Sequence, residues 1–206
     1  NASLIDEDTK VKMGVNYKKN YPLLAILDPN VVSEAPLPVL ASSGCDALVH
    51  SLESFVSPMA TSESKMFSIM AFNLILENLP VLLKSKGDKD NWLNMQWAAI
   101  FAMYGLSNSS SGPTGALSYY LGTNFKVNHG IAGAVFIGKV SRFNHENGFY
   151  GYSDLYNGTE INLTKEKKSL AVINSIEELL ELANIPNSLD EFGFKDTDVK
   201  GFCDFR

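Results

Sequence analysis

Residues 42–57 constrain the fold more than any other part of the chain, because they have the pattern of a half-buried helix with polar groups at helical spacing. Within this segment Asp46 and His50 are four residues apart, so they lie one above the other on one helix face. A carboxylate and an imidazole on adjacent turns can both bind one divalent cation. Glu53 falls on nearly the same stripe and is predicted to support a ligand by accepting a hydrogen bond from it.

The alternative is that Asp46 and His50 form an ordinary solvated or hydrogen-bonded pair, which is the commoner arrangement at this spacing. The residues that flank their face are large and apolar, which puts the pair near a buried surface where unpaired polar groups are costly. They are Leu48, Val49, Leu52, Phe55 and Val56. The sequence pattern alone leaves both interpretations open.

Composition excludes several classes of protein. A length of 206 residues with 45% apolar content fits one globular domain, or one domain and a fragment of another. The net charge of -6 and the lack of a basic cluster argue against nucleic-acid binding. Two cysteines, Cys45 and Cys203, do not make a disulfide framework, so a reducing, cytoplasmic location is expected. Neither an apolar run of membrane length nor a signal-peptide pattern is found.

Helical periodicity continues from residue 38 onward and predicts a mainly α fold. Residues 1–30 are expected to be different, with a short strand at residues 2–5 and a buried strand at residues 21–27. Because a lone strand pair is not stable in isolation, we expect these strands to belong to a sheet whose other members are missing from this chain.

Five helices are predicted, at residues 40–56, 62–84, 92–106, 115–121 and 131–143. The serines and glycine at 42–44 offer N-cap groups for the first helix, and Pro58 is expected to stop it. A kink is expected at Pro80, and His129 is expected to open the last of the five helices. Residues 107–115 are irregular and rich in small hydroxyl residues and glycine. A simple connecting loop is the commoner outcome, although backbone amides there could bind an anion.

Several motifs, taken in order along the chain, resemble those of the iron-containing (group III) alcohol dehydrogenase family. Residues 26–29, Ile-Leu-Asp-Pro, are similar to an Asp-Pro that follows a strand in that family. Residues 43–53, Ser-Gly-Cys-Asp-Ala-Leu-Val-His-Ser-Leu-Glu, resemble its Thr-Gly-x-Asp-Ala-x-x-His-x-x-Glu. Residues 105–108 and 128–130 look like later landmarks, and residues 142–144 and 185–189 match more loosely. The resemblance covers nearly the whole chain.

The resemblance implies a particular fold and domain organisation. The expected fold is the helical metal-binding domain of a dehydroquinate synthase-like or iron-containing alcohol dehydrogenase fold, with a short N-terminal β remnant. Residues 1–30 would link to a missing nucleotide-binding domain, and residues 31–206 would form the all-helical metal and substrate domain, truncated at its C-terminus. NAD or NADP would be bound mainly by the missing domain, because this chain has no Gly-rich dinucleotide fingerprint.

The resemblance also implies a set of site residues. The family holds divalent iron or zinc with one aspartate and three histidines, and by position the ligands here are Asp46, His50 and His129. The remaining ligand position is occupied by Gly115. Four residues later, where many members carry another histidine near the nicotinamide, this chain has Tyr119.

Three outcomes are compatible with these departures from the family pattern. The three ligands could bind a metal with water or substrate in the fourth position. The site could instead have lost its metal, with Tyr119 acting as a catalytic general acid if its pKa is lowered. The domain could also retain only the scaffold.

The function implied by the resemblance is that of an NAD(P)-dependent, metal-dependent alcohol dehydrogenase, inactive as this chain alone. Its substrate would be a primary alcohol, an aldehyde or a hydroxylated, sugar-like molecule. One alternative is a lyase resembling 3-dehydroquinate synthase, which would need phosphate-binding cations, and only Lys126 is near the motif. The other is a non-catalytic scaffold domain without its metal. A homo-oligomer is expected, with neither nucleic acid nor membrane as a partner.

Overall fold

The fold is a bundle of helices preceded by one short hairpin. The computed structural model describes residues 2–6, 8, 12–15, 19, 22–160 and 162–204. Strands β1 (Ala2–Ile5) and β2 (Lys12–Val15) pair antiparallel. The helices are α1 (Pro29–Val32), α2 (Leu37–Val56), α3 (Ser62–Ser85), α4 (Lys89–Ser107), α5 (Pro113–Phe125), α6 (His129–Glu146), α7 (Lys165–Leu182) and α8 (Val199–Asp204). Short 3-10 turns lie at Gly151–Leu155, Leu189–Phe192 and Asp196–Asp198.

The N-terminal predictions were partly wrong. The strand at residues 2–5 is confirmed, whereas its partner β2 was not predicted. No strand is present at residues 22–27, and Tyr21, the first residue of the predicted strand, lies outside the described residues. Leu23 is fully exposed and Ile26 is 79% exposed. The physical reason is that no described strand lies beside this segment to complete its backbone hydrogen bonds.

Helix α2 is the centre of the bundle. Thirteen of its twenty residues are buried, and it contacts α3, α4, α5 and α6. It begins at Leu37 with Pro38 in its first turn, so the predicted N-cap at residues 42–44 is wrong and those residues lie inside the helix. Proline fits there because the first helical N–H groups have no intrahelical partner. The helix ends at Val56, and Pro58 lies directly after the C-cap residue Ser57, as expected.

The other predicted helices are present with wider bounds. Helix α3 continues through Pro80 to Ser85, and Thr61 and Ser64 form a capping box at its start. By length and composition α3 is also the one described helix that could cross a membrane. Its inner face nevertheless lies in the protein core, with Phe72, Ile75 and Leu79 at most 1% exposed.

An aromatic cluster packs the C-terminal segment against the outer faces of α5 and α6. Tyr120 contacts Phe125, Phe194 and Phe202, with ring centroids 6.0, 6.4 and 5.2 Å away. The Tyr120 hydroxyl also donates a hydrogen bond to the carbonyl of Asp198, at 3.4 Å. Residues 189–204 thereby fix one side of α5.

Helices α2 and α6 cross closely at one glycine. A Cβ atom on Gly130 would lie 2.1 Å from the carbonyl oxygen of Ser42. The same crossing carries a hydrogen bond from the Ser42 hydroxyl to Asn128 Oδ1, and Asn128 Oδ1 also accepts the N–H of Gly130, at 3.1 Å. The start of α6 is therefore held directly against α2.

We expect Gly130→Ala to lower the free energy of unfolding by about 1–3 kcal/mol, because the added methyl group must push backbone aside. Urea unfolding followed by circular dichroism measures this change. Gly122→Ala is the matched control, since the nearest atom to its Cβ is 3.7 Å away and a helical alanine costs less entropy than glycine. Equal stability of the two variants would contradict the close crossing.

We also expect the protein to self-associate through its exposed N-terminal apolar residues, which include Leu24 and Ile26 at 75% and 79% exposure. Replacing both with glutamate should weaken association at least tenfold, as measured by sedimentation across a range of concentrations. Val199→Glu, at an exposed position elsewhere, is the control. A native protein that stays monomeric at every concentration would disprove this expectation.

Candidate metal centre

Asp46 and His50 lie on the same face of α2, as their spacing predicted. Asp46 Oδ1 and His50 Nε2 are 3.7 Å apart, and the two side chains are 31% and 19% exposed. Their neighbours Leu48 and Leu52 are completely buried in the core. The pair therefore lies at the edge of the buried region, where both side chains can still reach a ligand from solvent.

His129 comes to the same point from α6. It is the first residue of that helix, directly after the N-cap Asn128. His129 Nε2 lies 3.6 Å from Asp46 Oδ1, and its ring centroid is 6.4 Å from that of His50. The close crossing at Gly130 positions this third group. The link between Ser42 and Asn128 was not predicted, because a contact between residues so far apart in sequence leaves no local pattern.

The three side chains fit a divalent cation. One ligand atom from each of Asp46, His50 and His129 lies within 4.8 Å of the others. Both Nε2–Oδ1 separations are too long for a hydrogen bond. They are close to the roughly 3.3–3.5 Å between ligand atoms around a tetrahedral zinc. The predicted convergence is therefore confirmed, while the role of these residues as metal ligands stays a prediction.

The prediction that Glu53 supports a metal ligand by accepting a hydrogen bond from it was wrong. Its side chain is 4% exposed, and its carboxylate accepts the backbone N–H groups of Gly112, Thr114 and Gly115, at 2.9, 2.6 and 3.2 Å. The irregular segment before α5 does bind an anion with its amides, and that anion is this carboxylate. The first turn of α5 is thus fastened to α2.

Gly115 and Tyr119 lie one turn apart on α5. The Tyr119 ring stacks on His129 with centroids 5.8 Å apart, so this face of α5 is turned toward the three candidate ligands. A Cβ on Gly115 would lie 3.3 Å from Glu53 Oε2 and from Ser111 Cβ. A side chain therefore fits at position 115 if those two side chains move by a few tenths of an ångström.

The surroundings of Tyr119 raise the pKa of its phenol. The prediction that Tyr119 acts as a general acid required a lowered pKa, so the shift has the opposite direction. Burial is the largest cause, followed by the carboxylates of Glu53 and Asp46, since both disfavour a phenolate. The phenol is therefore protonated at neutral pH and can donate a proton. Its role in catalysis stays a prediction.

Three other ionisable residues are not part of the candidate centre. His145 is near the far end of α6, where Nδ1 is 3.4 Å from Ser169 Oγ. Lys126 is the exposed C-cap of α5, about 16 Å along the helix from Gly115. Cys45 follows Gly44 in the core, and burial together with Asp46 raises its pKa to about 12, so the thiol does not ionise near neutral pH.

Comparison with known proteins identifies the fold and the family pattern. Residues 40–205 match the Fe-containing alcohol dehydrogenase family, C-terminal part. The chain is 29% identical over 202 residues to the NAD-dependent methanol dehydrogenase of Bacillus methanolicus, covering 97% of this chain and 53% of that protein. It is 28% identical over 198 residues to the 1,3-propanediol dehydrogenase of Citrobacter freundii, covering 95% and 51%.

The same similarity appears in three dimensions. A crystal structure of 1,3-propanediol oxidoreductase superposes with a TM-score of 0.90 and 26% sequence identity, covering 98% of this chain and 54% of that chain. The mainly helical fold expected from the sequence is thereby confirmed. The chain spans about half the length of the relatives it matches.

We expect Glu53→Ala to lower the free energy of unfolding by about 3 kcal/mol or more, because several buried N–H groups then lose their acceptor. Glu53→Gln should cost less, since one amide oxygen can still accept. Chemical denaturation measures both changes. Glu63→Ala, an exposed glutamate in the first turn of α3, is the control. If Glu53→Ala is as stable as that control, the carboxylate does not hold α5.

Proposed function

The chain belongs to the iron-containing alcohol dehydrogenase family, and we propose that it supplies the metal- and substrate-binding half of a nicotinamide-dependent oxidoreductase acting on small alcohols or aldehydes. The observation that carries this proposal is the convergence of Asp46, His50 and His129 within 4.8 Å. The relatives that support it are named for dehydrogenation of methanol and 1,3-propanediol.

In this proposal each residue of the centre has a defined part. His50 and His129 would hold a divalent cation, iron or zinc, through imidazole nitrogens. Asp46 adds a negative charge, which offsets both the cation and the positive end of the α6 dipole at His129. When bound, the cation would supply Lewis-acid polarisation of an alcohol or aldehyde oxygen. Tyr119, which stacks on His129, would supply the proton that an aldehyde oxygen accepts; its raised pKa keeps the phenol protonated at neutral pH but does not make it a stronger acid.

The cofactor and the domain organisation follow from the same proposal. NAD or NADP would accept or deliver the hydride, held mainly by a nucleotide-binding domain that precedes residue 31. Residues 31–206 then form the metal and substrate domain. The coverage of about half of each relative supports this division. The exposed apolar residues near the N-terminus support contact with such a domain or with a second copy.

We expect the protein to take up one zinc or ferrous ion, and His50→Ala to weaken this binding at least tenfold, or about 1.4 kcal/mol, because a nitrogen ligand is removed. Isothermal titration and metal analysis after dialysis provide the measurements. His145→Ala is the matched control, because it removes a histidine at the far end of α6. Equal uptake by the native protein and His50→Ala would mean that the ligand assignment is wrong.

We further expect Gly115→His to bind zinc at least tenfold more tightly than Gly115→Ala, because α5 turns this position toward the candidate ligands. The alanine variant has the same Cβ beside Glu53 but no imidazole, so it isolates the effect of the added ligand. Competition with a chromophoric chelator measures both affinities. Identical affinities would show that position 115 does not reach the cation.

A further inference from the structure

The sequence contains two Asn-Gly steps, Asn147–Gly148 and Asn157–Gly158. Asparagine is a chemically labile residue, and the step before glycine is the most reactive because no Cβ keeps the glycine nitrogen away from the asparagine side chain. Neither step belongs to the candidate metal centre. Since the two steps have the same pair of residues, the structure around each of them is expected to decide whether it reacts.

The first step is held by hydrogen bonds at the end of α6. Asn147 is the C-cap residue, and its Nδ2 donates a hydrogen bond to the carbonyl of Phe143, at 2.8 Å. The N–H of Gly148 donates to the carbonyl of His145, at 3.0 Å. Both nitrogens that take part in the reaction, the leaving side-chain amide and the attacking backbone amide, are therefore engaged. The end of the helix must open before this step can react.

The second step has no such bonds. It lies in the segment between the 3-10 turn at Gly151–Leu155 and α7, and both Asn157 and Gly158 are exposed. Neither the Asn157 side chain nor the N–H of Gly158 makes a hydrogen bond with any described residue. A Cβ at position 158 would lie 2.2 Å from Tyr156 Oη, so this segment also favours glycine there. The two reacting groups can therefore approach each other without breaking a hydrogen bond.

We propose that Asn157 is a site of spontaneous covalent modification, and that it is converted to aspartate and isoaspartate in the folded protein. The nitrogen of Gly158 attacks Asn157 Cγ, and the new C–N bond closes a cyclic succinimide. The bond between Cγ and Nδ2 breaks, and Nδ2 leaves as ammonia after taking up, through solvent, the proton that the Gly158 nitrogen loses. Water then opens the ring at one of its two carbonyls and gives aspartate or isoaspartate, without oxidation or reduction.

The modification changes the chain at a contact between this segment and α7. Tyr156, the residue before Asn157, packs against the main hydrophobic core, and Lys168 Nζ of α7 lies 5.9 Å from the centre of its ring. The product carries a carboxylate where the neutral amide was, and isoaspartate also adds a methylene group to the backbone. A new negative charge and a longer backbone therefore appear directly after Tyr156. This inference is independent of the proposed function.

The test compares the two Asn-Gly steps in the native and in the unfolded chain. The whole chain is incubated at mildly alkaline pH, and fragment-ion mass spectrometry of its proteolytic peptides locates the conversion at one asparagine or the other. In the native protein we expect Asn157 to convert at least tenfold faster than Asn147, because opening the end of α6 costs free energy. In guanidinium chloride the two rates should agree within about threefold, since the protecting hydrogen bonds are then absent.

Asn157→Gln is the matched control, because it keeps the amide but its longer side chain must close a larger ring, which forms more slowly. It should show no conversion at position 157 and the same conversion at Asn147 as the parent. A native ratio below tenfold, or a native rate at Asn157 at least tenfold below its rate in guanidinium chloride, would overturn the proposal. A tenfold ratio that persists in the unfolded chain would overturn its structural basis, since neighbours in sequence would then set the reactivity.

Discussion

The carboxylate of Glu53 is the interaction on which the arrangement of the site depends. It is buried, it belongs to the central helix, and it accepts the N–H groups at the start of α5. A buried charge of this kind is stable only when donors surround it, and the amides at a helix start supply both hydrogen bonds and a favourable dipole. The position of α5, and with it Gly115 and Tyr119, follows from this one contact.

The third candidate ligand is positioned by shape rather than charge. Small residues on α6 let it approach α2 until backbone meets backbone, and Gly130 marks the closest point. His129 is the residue before that glycine, so its distance from Asp46 is set by the helix crossing. Two helix contacts, one electrostatic and one steric, thus bring together groups that are about eighty residues apart in sequence.

The helices and several of their ends could be predicted from the sequence, because helical periodicity and capping depend on residues that are close together in the chain. The spacing of Asp46 and His50, and the helix start at His129, were predicted correctly because both depend on helical periodicity and capping. Glu53 was misassigned because its partners lie about sixty residues away, and apolar residues 22–27 suggested a strand without revealing whether a neighbour was present. The sequence showed that glycine occupies the expected ligand position 115. It could not show whether a side chain fits there, because the available space is set by tertiary contacts with Glu53 and Ser111.

Two adjacent tyrosines make α5 sensitive to rotation about its own axis. Tyr119 stacks on His129, whereas Tyr120, about 100° further around the helix, is held by Phe194, Phe202 and the carbonyl of Asp198. A twist of α5 cannot improve one contact without disturbing the other. The two aromatic contacts therefore fix the rotation of α5, and the C-terminal segment sets the angle at which the phenol faces the candidate metal centre.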